Sequence, residues 1–358
     1  MDKFKIEVIN SFTNELKNYW QEFEKKSHHY IFQTYEWQKL WLDKNAKYGN
    51  FLINYTILVF EKDELIMLLP LNVKNFYSIK ILNWSGFPFS DYNAPLIAKN
   101  KTFKEDDFRL IWKLILNKIK KIDCITFNNQ PEYIVSQKNP FFSYLTSKID
   151  NEYYGIELNK FEVNKNELNN IEYQISRLRS LGNLKYKKAY SITERNKIIN
   201  FIISNKIKQY ENTNAWNLFK NKIYHEFFIH SNLSLHEKAY ITYLEIDDKV
   251  IAAHSGYIYE KICYYLFPVY NINYSKYSPG KILLKKMIDE SKQNMLHYFD
   301  LTIGSENYKK KYSNKKFSSS FFLKTLTFKG ILYIILLKIK FNLKNILNNL
   351  KKNDKFKP

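Results

Sequence analysis

Residues 249–312 read KVIAAHSGYIYEKICYYLFPVYNINYSKYSPGKILLKKMIDESKQNMLHYFDLTIGSENYKKKY. Their apolar runs predict two strands joined by a tight turn, a helix that opens at Tyr277–Lys281, and a last strand over residues 298–301. The first N–H groups of a helix lack internal partners and the helix dipole is positive there, so this helix start suits phosphate or carboxylate. The stretch therefore predicts an α/β fold with an anion site beside its sheet.

Charged side chains follow the last strand of this stretch. Asp300 lies near the strand end, and Glu306 and Lys309 come shortly after Gly304. Because open α/β sheets hold ligands at the carboxyl ends of their strands, we expect these side chains to line a site. The alternative is local: Ser278 to Gly280 form a cap and turn, and Glu306 and Lys309 form an ordinary helix pair.

The composition is that of a folded chain with a basic end. Of the 358 residues 45% are hydrophobic, which excludes a disordered chain and is enough for two cores. The net charge is +21, and residues 309–358, with fourteen lysines and one acid, supply +13 of it. Apolar residues from Phe328 to Leu350 follow one helical stripe, which predicts an amphipathic helix on an anionic membrane surface or, alternatively, one packed on the protein's own sheet.

Several site classes are excluded by what the sequence lacks. No two of the eight glycines lie closer than 24 positions, which excludes a P-loop and a dinucleotide GxGxxG motif. The seven histidines form no HExxH motif, so we expect no metal. We expect Cys124 and Cys263, in apolar segments, to be free core residues. The N-terminal segment has no apolar run typical of a secretory signal, so we expect a cytoplasmic protein.

The two halves of the chain repeat one order of predicted elements, which indicates an internal duplication. A hairpin is followed by a helix and a buried strand in the first half, and by a strand, a helix and a strand in the second half. A polar, Asn-rich stretch over residues 159–170 separates them. We predict an N-terminal domain over residues 1–155, a C-terminal domain over residues 156–326 and a basic tail over residues 327–358.

The second half resembles the GNAT-like acyltransferase domain of BioF2-like and CelD-type proteins and, more distantly, the FemAB peptidyltransferases. The first half is similar to the corresponding leading domain through Gln33–Trp37 and Gly86–Leu96. The residues of the second half that carry the resemblance are Arg177, Arg179, Gly182, Lys206–Trp216, Phe219, Phe227, Leu244–Ala253, Tyr264–Leu266, Tyr270, Tyr277–Gly280, Phe299–Leu301, Gly304, Glu306, Tyr308 and Lys309. The resemblance implies two tandem GNAT-like domains with a C-terminal basic amphipathic helix, and an acyl transfer to an amine.

The resemblance also implies a set of site residues. Acyl-CoA would be the co-substrate, without a metal, and an amino sugar or a cell-envelope polysaccharide precursor would be the acceptor. The residues assigned to the CoA phosphates and their surroundings are Tyr270, Tyr277, Ser278, Gly280 and Lys281. The candidates for the base are Asp300, Glu306 and His254. The residues assigned to the acceptor are Asp91, Tyr92, Arg177, Tyr308 and Lys309.

Each assignment has a plainer alternative. GNAT enzymes have a glycine-rich QxxGxG-type loop where this chain has Tyr277–Lys281, which puts CoA as donor in question. His254 would otherwise be a hydrogen-bonded histidine of the core or cleft, Asp91 and Tyr92 would close a turn, and Arg177 would lie on a helix surface.

Two other functions remain open at this level. One is a FemAB-like transferase that uses aminoacyl-tRNA, which a basic surface would tolerate. The other is a non-catalytic GNAT-like protein that binds membrane or RNA. For the tail we expect contact with the inner face of an anionic membrane.

Overall fold

A computed structural model describes residues 3–339 of the protein apart from residues 51, 120, 214 and 338. Its helices are α1 (Asn14–Lys26), α2 (Tyr35–Lys47), α3 (Glu105–Lys118), α4 (Pro140–Tyr144), α5 (Lys165–Arg179), α6 (Ile192–Thr213), α7 (Lys222–Ser234), α8 (Pro279–Gln293) and α9 (Asn307–Lys311). Its strands are β1 (Phe4–Ile9), β2 (Ser27–His28), β3 (Ile53–Glu61), β4 (Glu64–Phe76), β5 (Ile79–Trp84), β6 (Leu96–Ala98), β7 (Cys124–Pro131), β8 (Tyr133–Ile134), β9 (Gln137–Lys138), β10 (Lys148–Glu157), β11 (Leu184–Lys188), β12 (Ala239–Ile246), β13 (Lys249–Tyr259), β14 (Ile262–Tyr270), β15 (Tyr298–Ile303) and β16 (Lys315–Thr325).

In the described residues one sheet of 14 strands runs through both halves, in the order β1-β3-β4-β5-β7-β16-β10-β15-β14-β13-β12-β11, and β2 and β6 lie off this path. Neighbouring strands on this path are antiparallel except for two parallel pairs, β5 with β7 and β14 with β15. A helix connects each parallel pair, α3 in the first half and α8 in the second. The repeated order confirms the predicted duplication and the α/β class.

The two halves exchange strands at the centre of the sheet. The last strand, β16, pairs with β7 of the first half, and Phe322 lies opposite Phe127. On its other edge β16 pairs with β10, which in turn pairs with β15 of the second half. The predicted limit between residues 155 and 156 falls inside β10, so the halves interlock there; the domain limits stay a prediction.

Helices cover both faces of the second-half sheet. Successive strand residues point to opposite faces, and Ala252 packs in the cluster of Ile282 and Met287 of α8, whereas Ala253 packs in that of Ile198 and Ile202 of α6. Pro279 presets the first turn of α8, and the apolar spacing along the helix places one stripe against the sheet. This packing fixes the start of α8 beside the end of β14.

Several strands have no clear signal in the sequence. The apolar pattern does not predict β1, β5, β10 or β16, and α5 begins at Lys165, inside the stretch expected to separate the halves. Cys124 and Cys263 are buried and free, which confirms the expectation for them.

The beginning of the tail is helical over residues 328–337. Tyr333 packs against Phe76, with ring centroids 5.5 Å apart, while Ile331, Leu332 and Leu336 are exposed. The rest of the predicted tail helix, residues 338 and 340–350, lies outside the described residues. Within the described part, we find no helix with the length and hydropathy that a membrane crossing requires.

Candidate active site

The parallel strands β14 and β15 pair at three positions and then diverge. The last pair is Tyr264 opposite Asp300, after which β14 continues to Tyr270 and β15 to Ile303. A cavity of about 240 Å³ lies between the diverging ends; we call it the second-half cleft. Its lining comprises Pro88, Phe89, Asp91, Lys206, Tyr210, Leu218, Tyr265, Leu266, Phe267, Pro268, Thr302, Ile303, Glu306, Tyr308 and Lys309.

Charged groups of both signs meet in this cleft. Lys309 is only 4% exposed; its Nζ donates to the carbonyl of Ile303 at 2.5 Å and lies 3.3 Å from Oε2 of Glu306. Gly304 makes this approach possible, because its φ of +137° favours glycine and a Cβ there would overlap the Glu306 carboxylate. The cleft thus holds an ion pair between a buried lysine and a half-exposed glutamate, two of the residues that the sequence placed at this edge.

Lys206 is a site residue that the sequence analysis did not assign. It lies on α6 and lines the cleft, and burial lowers the pKa of its ammonium to about 8. Its position continues the stripe of Ile199, Ile202 and Ile203 at helical spacing. A lysine on an otherwise apolar stripe is the signal that could have indicated it.

Asp300 lies at the point where the strands diverge and is 2% exposed. Its Oδ1 accepts a hydrogen bond from the Tyr92 hydroxyl and another from the Thr302 backbone N–H, each at 2.7 Å. Burial raises the pKa of Asp300 to about 7, against the opposing effect of these hydrogen bonds. A carboxyl group that titrates near neutral pH is suited to accept and release a proton.

Two of the residues assigned to the acceptor reach this site from the first half. Asp91 and Tyr92 belong to the loop between β5 and β6, and Tyr92 contacts Asp300 from 208 positions away. Asp91 lines the cleft, and burial raises the pKa of its carboxyl group, with Lys309 opposing the shift. The structure therefore brings together predicted site residues from two segments of the chain, Asp91 and Tyr92 from one and Asp300, Glu306, Tyr308 and Lys309 from the other.

His254 lies in the core beside the cleft. It is fully buried, and its ring stacks on that of cleft residue Tyr265 with centroids 4.7 Å apart and planes 6° apart. Burial lowers the pKa of the imidazole to about 3, and neither ring nitrogen has a hydrogen-bond partner among the described residues. A neutral imidazole of such low basicity is a weak base for an ammonium group.

The start of α8 lies at the outer end of β14. Ser278 is the N-cap residue with φ +51°, and Pro279 opens the helix. A Cβ on Gly280 would lie 3.5 Å from Tyr270, an ordinary contact, and Tyr270 comes two residues after Pro268 of the cleft. The first turn of α8 contains no acidic residue, so the helix start keeps its attraction for anions.

The basic residues around this helix start have protein partners. Nζ of Lys281 lies 3.3 Å from Oε1 of Glu167, which is also bound by Lys311 and by Tyr312. Two ammonium groups against one carboxylate leave one net positive charge there. The Arg177 guanidinium lies over the ring of Tyr277 at 4.8 Å, away from the cleft lining.

Residues 165–310 match the sequence profile of the family described as acetyltransferase (GNAT) domain. The match covers α5 to α9 and includes both diverging strands and the start of α8. The fold consists of two GNAT-like units in tandem. The match covers less than half of the chain, and no curated protein matches the chain in sequence. No group of three or more His, Cys, Asp or Glu side chains that could hold a metal occurs among the described residues.

Three solved structures share the fold over nearly the whole chain. A crystal structure of FemX superposes with a TM-score of 0.58 at 9% identity, covering 89% of this chain and 97% of that chain. A conserved protein of unknown function from Bacteroides thetaiotaomicron gives 0.55 at 10% identity, covering 90% and 100%. L-PGS from Bacillus licheniformis gives 0.50 at 11% identity, covering 93% and 98%. At these identities the likeness concerns the fold, which agrees with the resemblance to FemAB-related, GNAT-like proteins.

Proposed function

We propose that the protein is an acyltransferase that transfers an acyl group from acyl-CoA to an amine, as in the BioF2-like and CelD-type proteins that it resembles. The observation that carries this proposal is the second-half cleft: two parallel strands diverge beside a helix whose first turn contains no acidic residue, within the segment that matches the acetyltransferase (GNAT) domain. The acceptor is an amino sugar or a cell-envelope polysaccharide precursor.

The donor would extend from the start of α8 into the cleft. Its phosphates would lie against Ser278, Gly280 and Lys281, next to Tyr270 and Tyr277. Tyr270 lies two positions after Pro268 of the cleft on the same strand, a span of roughly 7 Å. A donor anchored at the helix start can therefore reach the cleft with its thioester. Because Lys281 already pairs with Glu167, the helix N–H groups would provide much of the phosphate binding.

The reaction needs little covalent chemistry from the protein. The neutral amine attacks the thioester carbonyl, a C–N bond forms, the C–S bond breaks, and the CoA thiolate leaves and takes up a proton. Asp300 is the base that we favour for the ammonium proton, since its pKa of about 7 matches neutral conditions. Glu306 lines the cleft and is the second candidate, and His254, with a pKa of about 3, is the weakest. The ammonium of Lys206 and the hydroxyl of Tyr308 line the cleft where an oxyanion would form.

A FemAB-like, aminoacyl-tRNA-dependent transferase is the second candidate. It is favoured by the fold similarity to FemX over 97% of that chain and by the lack of a glycine-rich loop at residues 277–281. In both cases an amine attacks a carbonyl carbon in the second-half cleft. The two candidates therefore differ in the donor.

Calorimetric titration with acetyl-CoA and longer acyl-CoAs tests the donor. We expect saturable binding that weakens at least about tenfold in Gly280→Asp, because the variant places an anion at the helix start. Ser11→Asp adds the same charge at an exposed surface position of the first half and is the control. No binding of any acyl-CoA would overturn the CoA proposal and put the tRNA-dependent candidate first.

We further propose that the protein works in the cytoplasm and that its basic tail contacts the inner face of the membrane. The support is the charge of +13 over residues 309–358 and the exposed apolar residues of the helix over residues 328–337. Flotation with anionic vesicles should decrease when residues 327–358 are removed; unchanged flotation would remove this proposal.

A further inference from the structure

A second cavity opens at the other end of the strand pair β14 and β15. It has a volume of about 600 Å³, and we call it the tyrosine pocket. The residues that define it are Tyr30, Tyr133, Tyr153, Tyr298, Phe317 and Asp300. Ile262 and Tyr298 begin β14 and β15, whereas the second-half cleft lies where these strands end, so the two cavities flank Asp300.

Asp300 is a buried carboxyl group that forms no ion pair within 4 Å among the described residues, although Lys309 acts to lower its pKa from farther away. Its Oδ1 is used by Tyr92 and Thr302, and among the described residues no donor bonds to Oδ2 and no Lys, Arg or His lies within 4 Å. A buried charge is costly unless it is paired, and a pocket that leads to such a group is suited to a ligand of opposite charge.

The walls of the pocket are aromatic faces. The ring centroids of Tyr153 and Phe317 lie 5.4 Å apart, and those of Tyr133 and Phe317 lie 5.5 Å apart. The hydroxyl groups of Tyr153 and Tyr298 are buried without partners among the described residues. Aromatic faces attract organic cations, most strongly where water is excluded.

The lysines at the rim are neutralised, so the pocket does not favour an anion. Lys160 and Lys315 each lie 3.1 Å from the Glu157 carboxylate, and Glu260 adds a further negative charge. Gly155 leaves room for Tyr298, because a Cβ at that position would overlap the tyrosine hydroxyl.

We propose that the tyrosine pocket binds the acceptor through its ammonium group, which pairs with Asp300 while the ring or chain that bears it packs on the tyrosines. This inference rests on the proposed acyl transfer and names the acceptor class: a cationic amine, as in an amino sugar or an alkylamine, rather than an anionic group. Asp300 connects the pocket to the cleft, since Thr302 and Asp91, the neighbour of Tyr92, line the cleft. The acceptor and the donor would then approach from opposite ends of the strand pair.

The test uses the full chain without any donor. Choline and n-butylammonium are the cationic probes, and 3,3-dimethyl-1-butanol is the uncharged isostere of choline; binding is followed by ligand NMR. We expect the uncharged isostere to bind at least about tenfold more weakly than choline, and Asp300→Asn to weaken choline binding by a similar factor. Asp43→Asn, at an exposed carboxylate on α2, is the matched control and should bind choline normally.

Phe317→Leu extends the test to the aromatic wall at a half-buried position, where the fold should tolerate the change. It should weaken choline binding and leave acetyl-CoA binding unchanged. Equal affinity for choline and its uncharged isostere, or full choline affinity in Asp300→Asn, would overturn the proposal. A failure of acyl-CoA to bind would instead count against the proposed reaction, and it would be seen in a separate titration.

Discussion

The two parallel strand pairs of the sheet share one geometry and differ in the groups at the point where the strands diverge. In the first half, β5 and β7 pair at three positions, and the last is Asn83 opposite Thr126, whose hydroxyl donates to the Asn83 side chain. In the second half the last pair is Tyr264 opposite Asp300. A neutral amide–hydroxyl pair thus occupies the place where the second half has a buried carboxyl group.

The helices that connect the two parallel strand pairs, α3 and α8, also differ in the charge of their first turns. The first turn of α3 contains Glu105, Asp106 and Asp107, which complement the helix dipole and would repel phosphate. The first turn of α8 contains no acid and includes Lys281. Only the second of the two helix starts therefore favours the phosphates of a donor.

The cavities differ as well. The first-half cleft, about 990 Å³, is lined by aromatic rings, by asparagines at positions 45, 50, 72, 83 and 128, and by Lys74, Lys148 and Asp150. The second-half cleft is smaller, about 240 Å³, and its charged groups include the ion pair of Glu306 and Lys309. The comparison teaches that the duplication kept the architecture, and that the buried carboxyl group at the strand divergence, which we propose as the base, lies in the second copy. The first half contributes Asp91 and Tyr92, whose loop reaches the candidate site of the second half.

The largest expected effect is that of Asp300→Asn on kcat, compared with a substitution at the matching position of the first half. Removing this carboxylate, the base that we propose, should lower kcat for acyl transfer by about 10²–10³, because general-base catalysis contributes factors of this size. Thr126→Val, at the matching position of the first half, should change kcat by less than about threefold. Steady-state kinetics with a cationic amine acceptor measures both, and similar losses in the two variants would mean that the chemistry is not confined to the second half.

The pH dependence of kcat should show the ionisation of two side chains of the second half, Asp300 and Lys206. The rate should rise as Asp300 ionises through pH about 7 and fall above pH about 8 as Lys206 loses its proton. Asp91 and Lys309 act on Asp300, and Glu306 and Lys309 act on Lys206, so the midpoints belong to the group as a whole. Asp300→Asn should remove the acidic limb and Lys206→Met the alkaline limb. Profiles that keep both limbs in both variants would contradict the assignment.

The smallest expected effect is on the affinity for acyl-CoA, when charged residues in the first turns of α8 and α3 are substituted. Lys281→Ala should weaken acyl-CoA binding by roughly threefold to tenfold, since Lys281 is half exposed and already paired with Glu167. Glu105→Lys on α3 should leave the affinity within about twofold, because the donor does not use that helix. Calorimetric titration of the two variants with acyl-CoA measures both affinities. If Glu105→Lys changed the affinity as much as Lys281→Ala does, the donor would bind at the first half as well.

Local sequence patterns predicted the elements whose signals are short-range. The hairpins, α8 and β15 follow from apolar periodicity, Pro279 and the turn residues, and these elements already placed Asp300, Glu306 and Lys309 at one edge. By contrast, β10 and β16 were missed, because they pair with strands far away in the chain: Phe317 lies opposite Tyr153, and Phe322 opposite Phe127. Their polar-rich sequences do not show which partners will bury them.

The sequence by itself determined the α/β class, the duplicated order of elements, the helix start free of acids and the absence of a glycine-rich phosphate loop, because each depends on residues near one another in the chain. The tertiary structure alone decided that the halves exchange strands, that half-buried Lys206 lines the cleft and that tyrosines from both halves surround Asp300. The physical reason is that burial and pairing depend on long-range packing, and desolvation by that packing is what moves Asp300 and Lys206 toward neutral pKa values.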